Sequence, residues 1–329
     1  MPEFIGRIGG LAVALGVGAG VAMTLGTATA IADSPLDNLR PNISVSVNGN
    51  SVVQSGSASA TSSKGSTAVA VGRFTSATAD NGVRNRAVVI GRDSSATATG
   101  GDDNTAVTVG NGSSSYAGDG NGNSVTAFGN GNIVRSSGGN RNAITVAGDS
   151  NTVSTGCTKI DGMNISGCSS GTAAKGNGNA VRVMGDNNAV VAGGIENLSG
   201  GPEVFNGDDN TVTVNGSDNR AFAAAGNGNS VSVRGDANQT AAWLGNQNTT
   251  EIVGNSNNAF AGGNVLGAGR YDDSTATVNG SNSIATAIGD DGWSAEVDGD
   301  SIWALAGMSS PNVSCSAANT PSTGCSTLP

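Results

Sequence analysis

Histidine is absent from the 329 residues of this chain, and lysine occurs only as Lys64, Lys159 and Lys175. The commonest general base and the commonest transition-metal ligand of proteins are therefore missing. The formal net charge at pH 7 is −10. Because a polyanion repels phosphate backbones, we expect no nucleic-acid partner.

Large apolar side chains are also scarce, and aromatic residues make up 3% of the chain. A compact globule needs such side chains to offset the ordering of its backbone, which costs ~1–2 kcal/mol per residue. Glycine is abundant instead, with 53 residues. The chain is therefore either disordered or built from narrow stacked coils, in which small residues suffice.

A regular repeat favours stacked coils. Between positions 226 and 257 the unit G-x-x-N occurs four times, and the final asparagines are spaced by 9, 10 and 9 residues. Two units make 19 residues, and the segment that follows each asparagine alternates apolar with polar residues, as in "TVTV" at 211 and "SVSV" at 230. Alternation of this kind is typical of β-strands, and a fixed period is typical of solenoids. The sequence predicts an all-β, flattened, two-sided β-solenoid with 19-residue coils made of 9- and 10-residue repeats.

The G-x-x-N unit suits the corners of such a coil. Glycine reaches backbone angles that other residues resist, and asparagine tolerates left-handed geometry and bonds the turning backbone. Asparagines one coil apart are expected to stack as an amide ladder. The residues two and four places after each asparagine, such as Val212 and Val214, are expected to point inward. The predicted ladder comprises Asn123, Asn132, Asn142, Asn151, Asn210, Asn219, Asn229, Asn238, Asn248 and Asn257.

The pattern of the first residues is typical of an export signal. Arg7 precedes an apolar run, and an A-x-A site ends at Ala32, so residues 1–32 are predicted to be a Sec-type signal peptide of a secreted or cell-surface protein. The uncharged run 8–32 is also long enough to span a bilayer, so an uncleaved anchor is the alternative. The segment "GRIGGLAVALGVGAGVA" resembles the leaders of secreted mycobacterial proteins, which implies a route of export.

The remaining chain divides by composition. Residues 33–65 are predicted to be a linker and a cap coil, 66–308 the solenoid with an insertion at 157–168, and 309–329 a tail rich in Ser, Pro and Thr. Four cysteines allow three pairings, and two local loops are the simplest. We therefore expect one disulfide between Cys157 and Cys168 and another between Cys315 and Cys325. Their spacing does not suit zinc.

The segment from 66 to 110 has blocks of the form A-V-x-x-G-x-x-x-S-A-T-A, as in "STAVAVGRFTSATA". These blocks resemble the head repeats of trimeric autotransporter adhesins, over about 45 residues. The resemblance implies a trimer and an outer-membrane anchor. Those adhesins carry a coiled-coil stalk and a membrane barrel after the head, and neither pattern occurs in this sequence.

Three hypotheses about a chemical function compete with a purely structural interpretation. Acidic pairs at 102–103, 208–209 and 290–291 could bind Ca²⁺ or serve a polysaccharide-active enzyme. However, aspartate is also an ordinary turn residue, and adjacent aspartates tend to point apart. The third hypothesis is ice binding by a face of outward hydroxyl groups. Arg182 and Glu251 interrupt this face. The hydroxyl face comprises Ser124, Thr126, Thr145, Thr211, Thr213, Ser230, Ser232 and Thr249.

The alanine-rich sheet carries aromatic residues that could form a contact face. Phe222 and Phe260 are predicted to lie outward on one line, two coils apart, with Trp243 near the next corner. A register shifted by one residue would turn the two phenylalanines inward. The favoured function is a secreted or surface structural or adhesive solenoid without catalytic activity or cofactor. Its partner would be a cell-envelope or extracellular polymer or a protein; self-association is left open, and a calcium-binding module is the alternative.

Overall fold

The computed structural model describes residues 41–161, 164–167, 176–196, 204–263, 272–288, 292–307, 312–316 and 325–327. The chain is all β and forms a β-solenoid of about 11 turns, with coils of about 19 residues and two sheets, as the repeat predicts. Among the described residues there is no helix long and apolar enough to cross a membrane.

Sheet A collects the strands that are rich in valine. In chain order it contains β1 (Ile43–Val47), β2 (Asn50–Ser55), β4 (Thr67–Val71), β6 (Arg86–Arg92), β8 (Thr105–Asn111), β10 (Ser124–Phe128), β12 (Ala143–Ala147), β15 (Ala180–Met184), β18 (Thr211–Asn215), β20 (Ser230–Arg234), β22 (Thr249–Val253), β24 (Thr275–Asn279), β26 (Ser294–Asp298) and β28 (Asn312–Ser316).

Sheet B collects the strands that are rich in alanine. It contains β3 (Ser59–Ser62), β5 (Ser76–Ala79), β7 (Ser95–Thr99), β9 (Ser114–Gly118), β11 (Ile133–Ser137), β13 (Thr152–Asp161), β16 (Ala189–Glu196), β19 (Arg220–Ala224), β21 (Gln239–Trp243), β23 (Asn258–Gly262), β25 (Ile284–Ala287), β27 (Ile302–Ala306) and β29 (Cys325–Thr327), with β14 (Asn164–Gly167) beside β13 and β17 (Val204–Phe205) beside β16.

The core between the two sheets is narrow. Val212 and Val214 of sheet A point inward and are fully buried, as expected from the alternation, and Ala221 and Ala223 of sheet B face them with no exposed surface. Successive coils stack equivalent residues, so that Val212 pairs with Val231 in a parallel register. Small and medium aliphatic side chains fill this space because the two sheets approach closely, and the largest of those that are fully buried are Ile144, Ile252 and Ile302.

Both ends of the solenoid depart from parallel stacking. At the first end, β2 pairs antiparallel with β1, which pairs antiparallel with β4, so a hairpin covers the edge of sheet A. At the other end, β29 pairs antiparallel with β27. Parallel pairing already includes β3, within the segment predicted as linker and cap, and still includes β28, within the predicted tail.

Three connections that follow sheet B strands exceed the coil repeat. The buried corner asparagines are bonded across 37 residues from Asn142 to Asn179 and across 31 from Asn179 to Asn210. The corresponding bond from Asn248 to Ser274 spans 26 residues, whereas it spans 19 in the regular coils. The first of these connections includes the predicted insertion at 157–168, in which β14 pairs antiparallel with β13. The stacking register therefore continues across all three.

Close stacking of coils explains the glycine that opens each unit. The φ of Gly235 is +126°, and a Cβ atom added there would lie 2.0 Å from the carbonyl oxygen of Gly254 in the next coil. By contrast, the third position of the unit is left-handed but open to solvent, so it accepts Ala237 with a φ of 58°. The first glycine is needed for space, whereas the third position needs only a tolerated backbone angle.

Candidate functional site

The ten asparagines of the predicted ladder are all fully buried. They stand in two columns, one at each corner of the coil, which we call the inner ladders. The Oδ1 atom of Asn210 accepts the backbone N–H of Asn229 at 2.9 Å. The Nδ2 atom of Asn229 donates to the carbonyl oxygen of Gly245 at 2.9 Å. Each such amide thus bonds the backbone of the following coil, which fixes the corner and satisfies its buried polar groups.

The inner ladders extend beyond the ten predicted asparagines, to the G-x-x-N unit at 82–85 and to units that end in serine. Asn85 occupies the position one coil before Asn104 and accepts its backbone N–H through Oδ1 at 2.9 Å. In the other column Ser113 and Ser283 replace asparagine, and each hydroxyl donates to the carbonyl oxygen of a glycine in the next coil at 2.8 or 2.9 Å. These residues were missed in the sequence, although counting back 19 residues from Asn104 and Asn132 would have found Asn85 and Ser113. Ser283 lies 26 residues after Asn257, so the 19-residue period does not find it.

A second ladder lies on the surface of each corner, at the second residue of the unit. Asp102 accepts the backbone N–H of Val83 through Oδ1 at 2.9 Å, and Asp208 accepts that of Asn177 at 2.7 Å. Asn121 does the same for Asp102 at 2.7 Å. We call these columns the outer ladders. Aspartate and asparagine interchange there because the position requires only an acceptor oxygen.

The two aspartates of a predicted acidic pair therefore have different roles. The first aspartate of the pairs at 102–103 and 208–209 belongs to an outer ladder, and the second is exposed at the left-handed position. Asp103 bonds Arg84, at 2.6 Å between Oδ2 and Nη2, which lowers the pKa of this carboxyl group. The pair at 290–291 lies outside the described residues. Within the described ranges, no three or more His, Cys, Asp or Glu residues are grouped as a metal site would require.

The aromatic residues of the predicted contact face lie on the outer side of sheet B. Phe222 and Phe260 are half-buried, whereas their neighbours along the strands, such as Ala221 and Ala259, are fully buried. Both phenylalanines therefore point outward, and the register shift that would turn them inward does not occur. Trp243 is also half-buried. Phe222 and Phe260 flank Ala241, because these three residues pair in register on adjacent strands.

Part of this face is covered by the chain itself. Phe205, which follows the second long connection, packs with Phe222 and Trp243 against a small apolar cluster that includes Val191 and Ile195. β17 holds Phe205 there by pairing antiparallel with β16. This cover could not be predicted from the sequence, because the contact depends on how the connection folds back.

The predicted hydroxyl face lies on the outer side of sheet A. Ser124 pairs with Ala143, which breaks the first column of hydroxyls, whereas Thr126 pairs with Thr145 in the second column. Arg182 and Glu251 lie in the second of these columns and interrupt it. A more regular array, not predicted, occurs on sheet B, where three consecutive strands present an outward serine and threonine: Ser59 and Thr61, Ser76 and Thr78, and Ser95 and Thr97.

The hydroxyl group of Tyr116, which lies next to that array, has a shifted pKa. The hydroxyl of Tyr116 donates to Asp119 at 2.8 Å, and the guanidinium of Arg135 lies 4.5 Å from the centre of its ring. Partial burial, followed by the bond to Asp119, raises the pKa of Tyr116 above its usual value near 10. The side chain is thus held neutral on the surface, where it stabilises two adjacent strands.

One of the two expected disulfides lies within the described residues. Cys315 of β28 and Cys325 of β29 are bonded, with their Cα atoms 5.7 Å apart, and both are buried. This bond links the last strands of the two sheets. For the expected pair of Cys157 and Cys168, the second residue and the side chain of the first lie outside the described residues.

Comparison of the whole chain with known proteins finds no matching family model, no matching curated protein and no matching solved structure.

Proposed function

We propose that this protein is an exported structural or adhesive solenoid of the cell surface or the extracellular space, with no catalytic activity. The observation that carries the proposal is the repetition of outward columns on both sheets, with equivalent residues in register from coil to coil. Neighbouring strands lie ~4.8 Å apart, so each column presents outward side chains at a short, fixed interval. Such an array suits a polymeric or multivalent partner more than a single small molecule.

The non-catalytic role is supported by how the corner carboxylates are used. Asp102, Asp208 and Asp236 accept backbone N–H groups in the outer ladders. A general acid or a nucleophile needs a carboxyl group directed at substrate. The same use favours a fold that does not depend on calcium, since these oxygens already have protein donors.

The aromatic patch on sheet B is the proposed contact face. Phe260 and Trp243 each keep part of their surface open, and aromatic side chains in a chain with so few of them are a concentrated source of apolar contact area. Phe205 and Phe222 would support this face from beneath rather than meet the partner over their full surface.

The test is binding to insoluble cell-envelope polysaccharide, to peptidoglycan and to immobilised extracellular protein. Phe260→Thr is the informative variant, because Thr286 occupies the same column in the next coil and the fold accepts it there. Thr213→Ser on the opposite sheet is the matched control, since Ser232 follows it in its own column. We expect one of these materials to retain the protein, with a loss of about tenfold for Phe260→Thr, as one or two kcal/mol of contact implies, and no loss for the control.

Two results would contradict the proposal. Release of soluble sugars from a bound polysaccharide would show an enzyme, and failure of all materials to retain the protein would remove the adhesive role. Export is tested separately by the N-terminal sequence of the protein from the culture medium. Signal cleavage predicts Asp33 as the first residue, whereas an intact leader in the membrane fraction would support the anchor.

A further inference from the structure

The outer face of sheet A carries two neighbouring apolar columns near the start of the parallel stack, one over three strands and the other over four. Two neighbouring columns form what we call the apolar stripe, and its most open members are Ile90, 43% exposed, and Phe128, 46% exposed. The columns are set by the parallel registers of β4, β6, β8 and β10. The stripe consists of Val69, Val88 and Val107 in one column and of Val71, Ile90, Val109 and Phe128 in the other, with Val69 buried at 7% exposed.

The fold itself does not require apolar residues at these positions. In later coils one of these columns is polar or charged and the other is mixed, while the strands keep their parallel pairing. The column of Val107 continues with Thr126, Thr145, Arg182, Thr213, Ser232 and Glu251, and that of Phe128 continues with Ala147, Met184, Asn215, Arg234, Val253 and Asn279. The apolar stripe is therefore a local feature that solenoid stacking does not explain.

Exposed arginines border the stripe. Arg86 lies on β6 next to Val88 and Ile90 on the same face, because the three residues alternate along the strand. Arg73 follows β4 and Arg92 ends β6 at the adjoining corner, and both are exposed. Further along that corner the equivalent position is neutral or acidic, as Asn111, Asn130, Asp149, Asp186, Ser217 and Asp236.

The whole chain shows the same gradient of charge. Residues 41–147 contain seven Lys or Arg against five Asp or Glu, whereas residues 148–327 contain six against seventeen. The part of the protein that carries the stripe is thus weakly positive, and the rest is strongly negative. An anionic surface would attract the first part and repel the second.

We propose that the apolar stripe, with Arg73, Arg86 and Arg92, docks on the surface of a lipid bilayer that carries anionic headgroups. The branched and aromatic side chains enter the boundary between headgroups and acyl chains, and the arginines meet the phosphates. The anionic membrane repels the acidic coils, so the solenoid contacts the membrane through its first coils. This contact is independent of the adhesive role, which rests on the other sheet and on other coils.

A second copy of the chain fits the stripe less well. Four strands at ~4.8 Å and two alternating residues at ~7 Å along each strand cover roughly 250 Å², against about 800 Å² per partner in a stable interface. A face-to-face pair would also bring the arginine borders of two stripes together, which costs energy because their charges are alike. A bilayer presents neither difficulty, since it needs no matched partner surface.

Site-specific fluorescence tests the contact directly. Ile90→Cys and Val253→Cys are each labelled with a polarity-sensitive dye in the full-length protein, since both residues lie in the same column of sheet A and are 43% and 39% exposed. Vesicles of equal parts phosphatidylglycerol and phosphatidylcholine should shift the emission at position 90 to shorter wavelength and leave position 253 unchanged. Vesicles of phosphatidylcholine alone should give a much smaller shift. Because both proteins keep the same leader, a contact made by the leader does not distinguish the two positions.

Charge variants test the role of the arginines. Arg73→Asn with Arg92→Asn should weaken binding to the anionic vesicles, by roughly fivefold for each arginine removed. Asparagine is chosen because Asn111 holds the next position in that column. Arg234→Asn, between Asn215 and the later coils of sheet A, is the matched control and should bind as the wild type does.

Three outcomes would overturn the proposal. In the first, position 90 shows no shift when vesicles are added, whether or not they bind the protein. In the second, positions 90 and 253 shift equally. In the third, position 90 shifts without vesicles as the protein concentration rises, which would assign the stripe to contact between copies.

Discussion

Replacement of Asn238 by alanine tests the inner ladder at one fully buried position. The Oδ1 atom of Asn238 accepts the backbone N–H of Asn257 at 2.9 Å. Its Nδ2 atom donates to the carbonyl oxygen of Gly254 at 2.9 Å and to Oδ1 of Asn219 at 3.0 Å. After the substitution, the N–H of Asn257 and the carbonyl of Gly254 lose these bonds in the interior, while Oδ1 of Asn219 keeps the backbone N–H of residue 238.

Each buried polar group left without a partner costs about 1–3 kcal/mol. Two such groups predict that Asn238→Ala lowers the free energy of unfolding by about 2–6 kcal/mol. Asn238→Ser should cost less than half of that, because Ser283 in the same column both donates to Gly299 at 2.9 Å and accepts the N–H of Ile302 at 3.1 Å. Asn238→Asp should cost at least as much as alanine, since a carboxylate offers no donor and is buried as a charge.

The assay is urea unfolding followed by circular dichroism, with hydrogen exchange to locate the change. The expected order of stability is wild type, then serine, then alanine and aspartate, and the amide of residue 257 should lose most of its protection. If alanine proves as stable as the wild type, or if serine is as damaging as alanine, the ladder does not hold the corner in the way described.

Substitutions at other positions test other parts of the structure. Gly235→Ala should destabilise by more than about 3 kcal/mol because its Cβ atom would overlap the next coil, whereas Gly112→Ala, with no atom within 4 Å, should cost only about 1 kcal/mol; thermal melting of the two variants measures the difference. Of the two tyrosines, Tyr116 should ionise late in an alkaline absorbance titration, and Tyr116→Phe should remove that phase. Because its folded pKa is raised, the stability it contributes is complete below pH ~10 and is lost as the pH rises towards the folded pKa. Loss of the bond between Cys315 and Cys325, which closes a separation of 10 residues, should cost about 3 kcal/mol and speed hydrogen exchange in the last coil only.

The coil could be predicted from the sequence because its signals are local. Strand alternation gave Val212 and Val214 as core residues, and the 19-residue period gave the parallel stacking, so that both agree with the structure. The outer ladders were missed because Asn, Asp and Ser interchange at their position, which hides the repeat from a search for one residue type. Their shared property is an acceptor oxygen one atom or two beyond Cβ.

Other features depend on contacts between distant segments. In the antiparallel hairpin of β1 and β2, β1 alternates apolar with polar residues as the parallel strands do, so the direction of its pairing could not be predicted from its residues. Phe222 and Trp243 were correctly placed near the alanine-rich sheet, yet their cover by Phe205 arises from a long connection without a repeat. Sequence patterns therefore predicted the coil well and the surface of sheet B only in part.

We expect backbone pairing and the two kinds of ladder to hold the solenoid without a bound ion. The most direct measurement is the circular dichroism spectrum and thermal melt of the protein in EDTA and in excess calcium. We predict the same β spectrum and the same cooperative transition in both solutions, because the corner oxygens already accept protein N–H groups. A random-coil spectrum in EDTA that becomes β only with calcium would contradict the account and make the acidic corners a metal site.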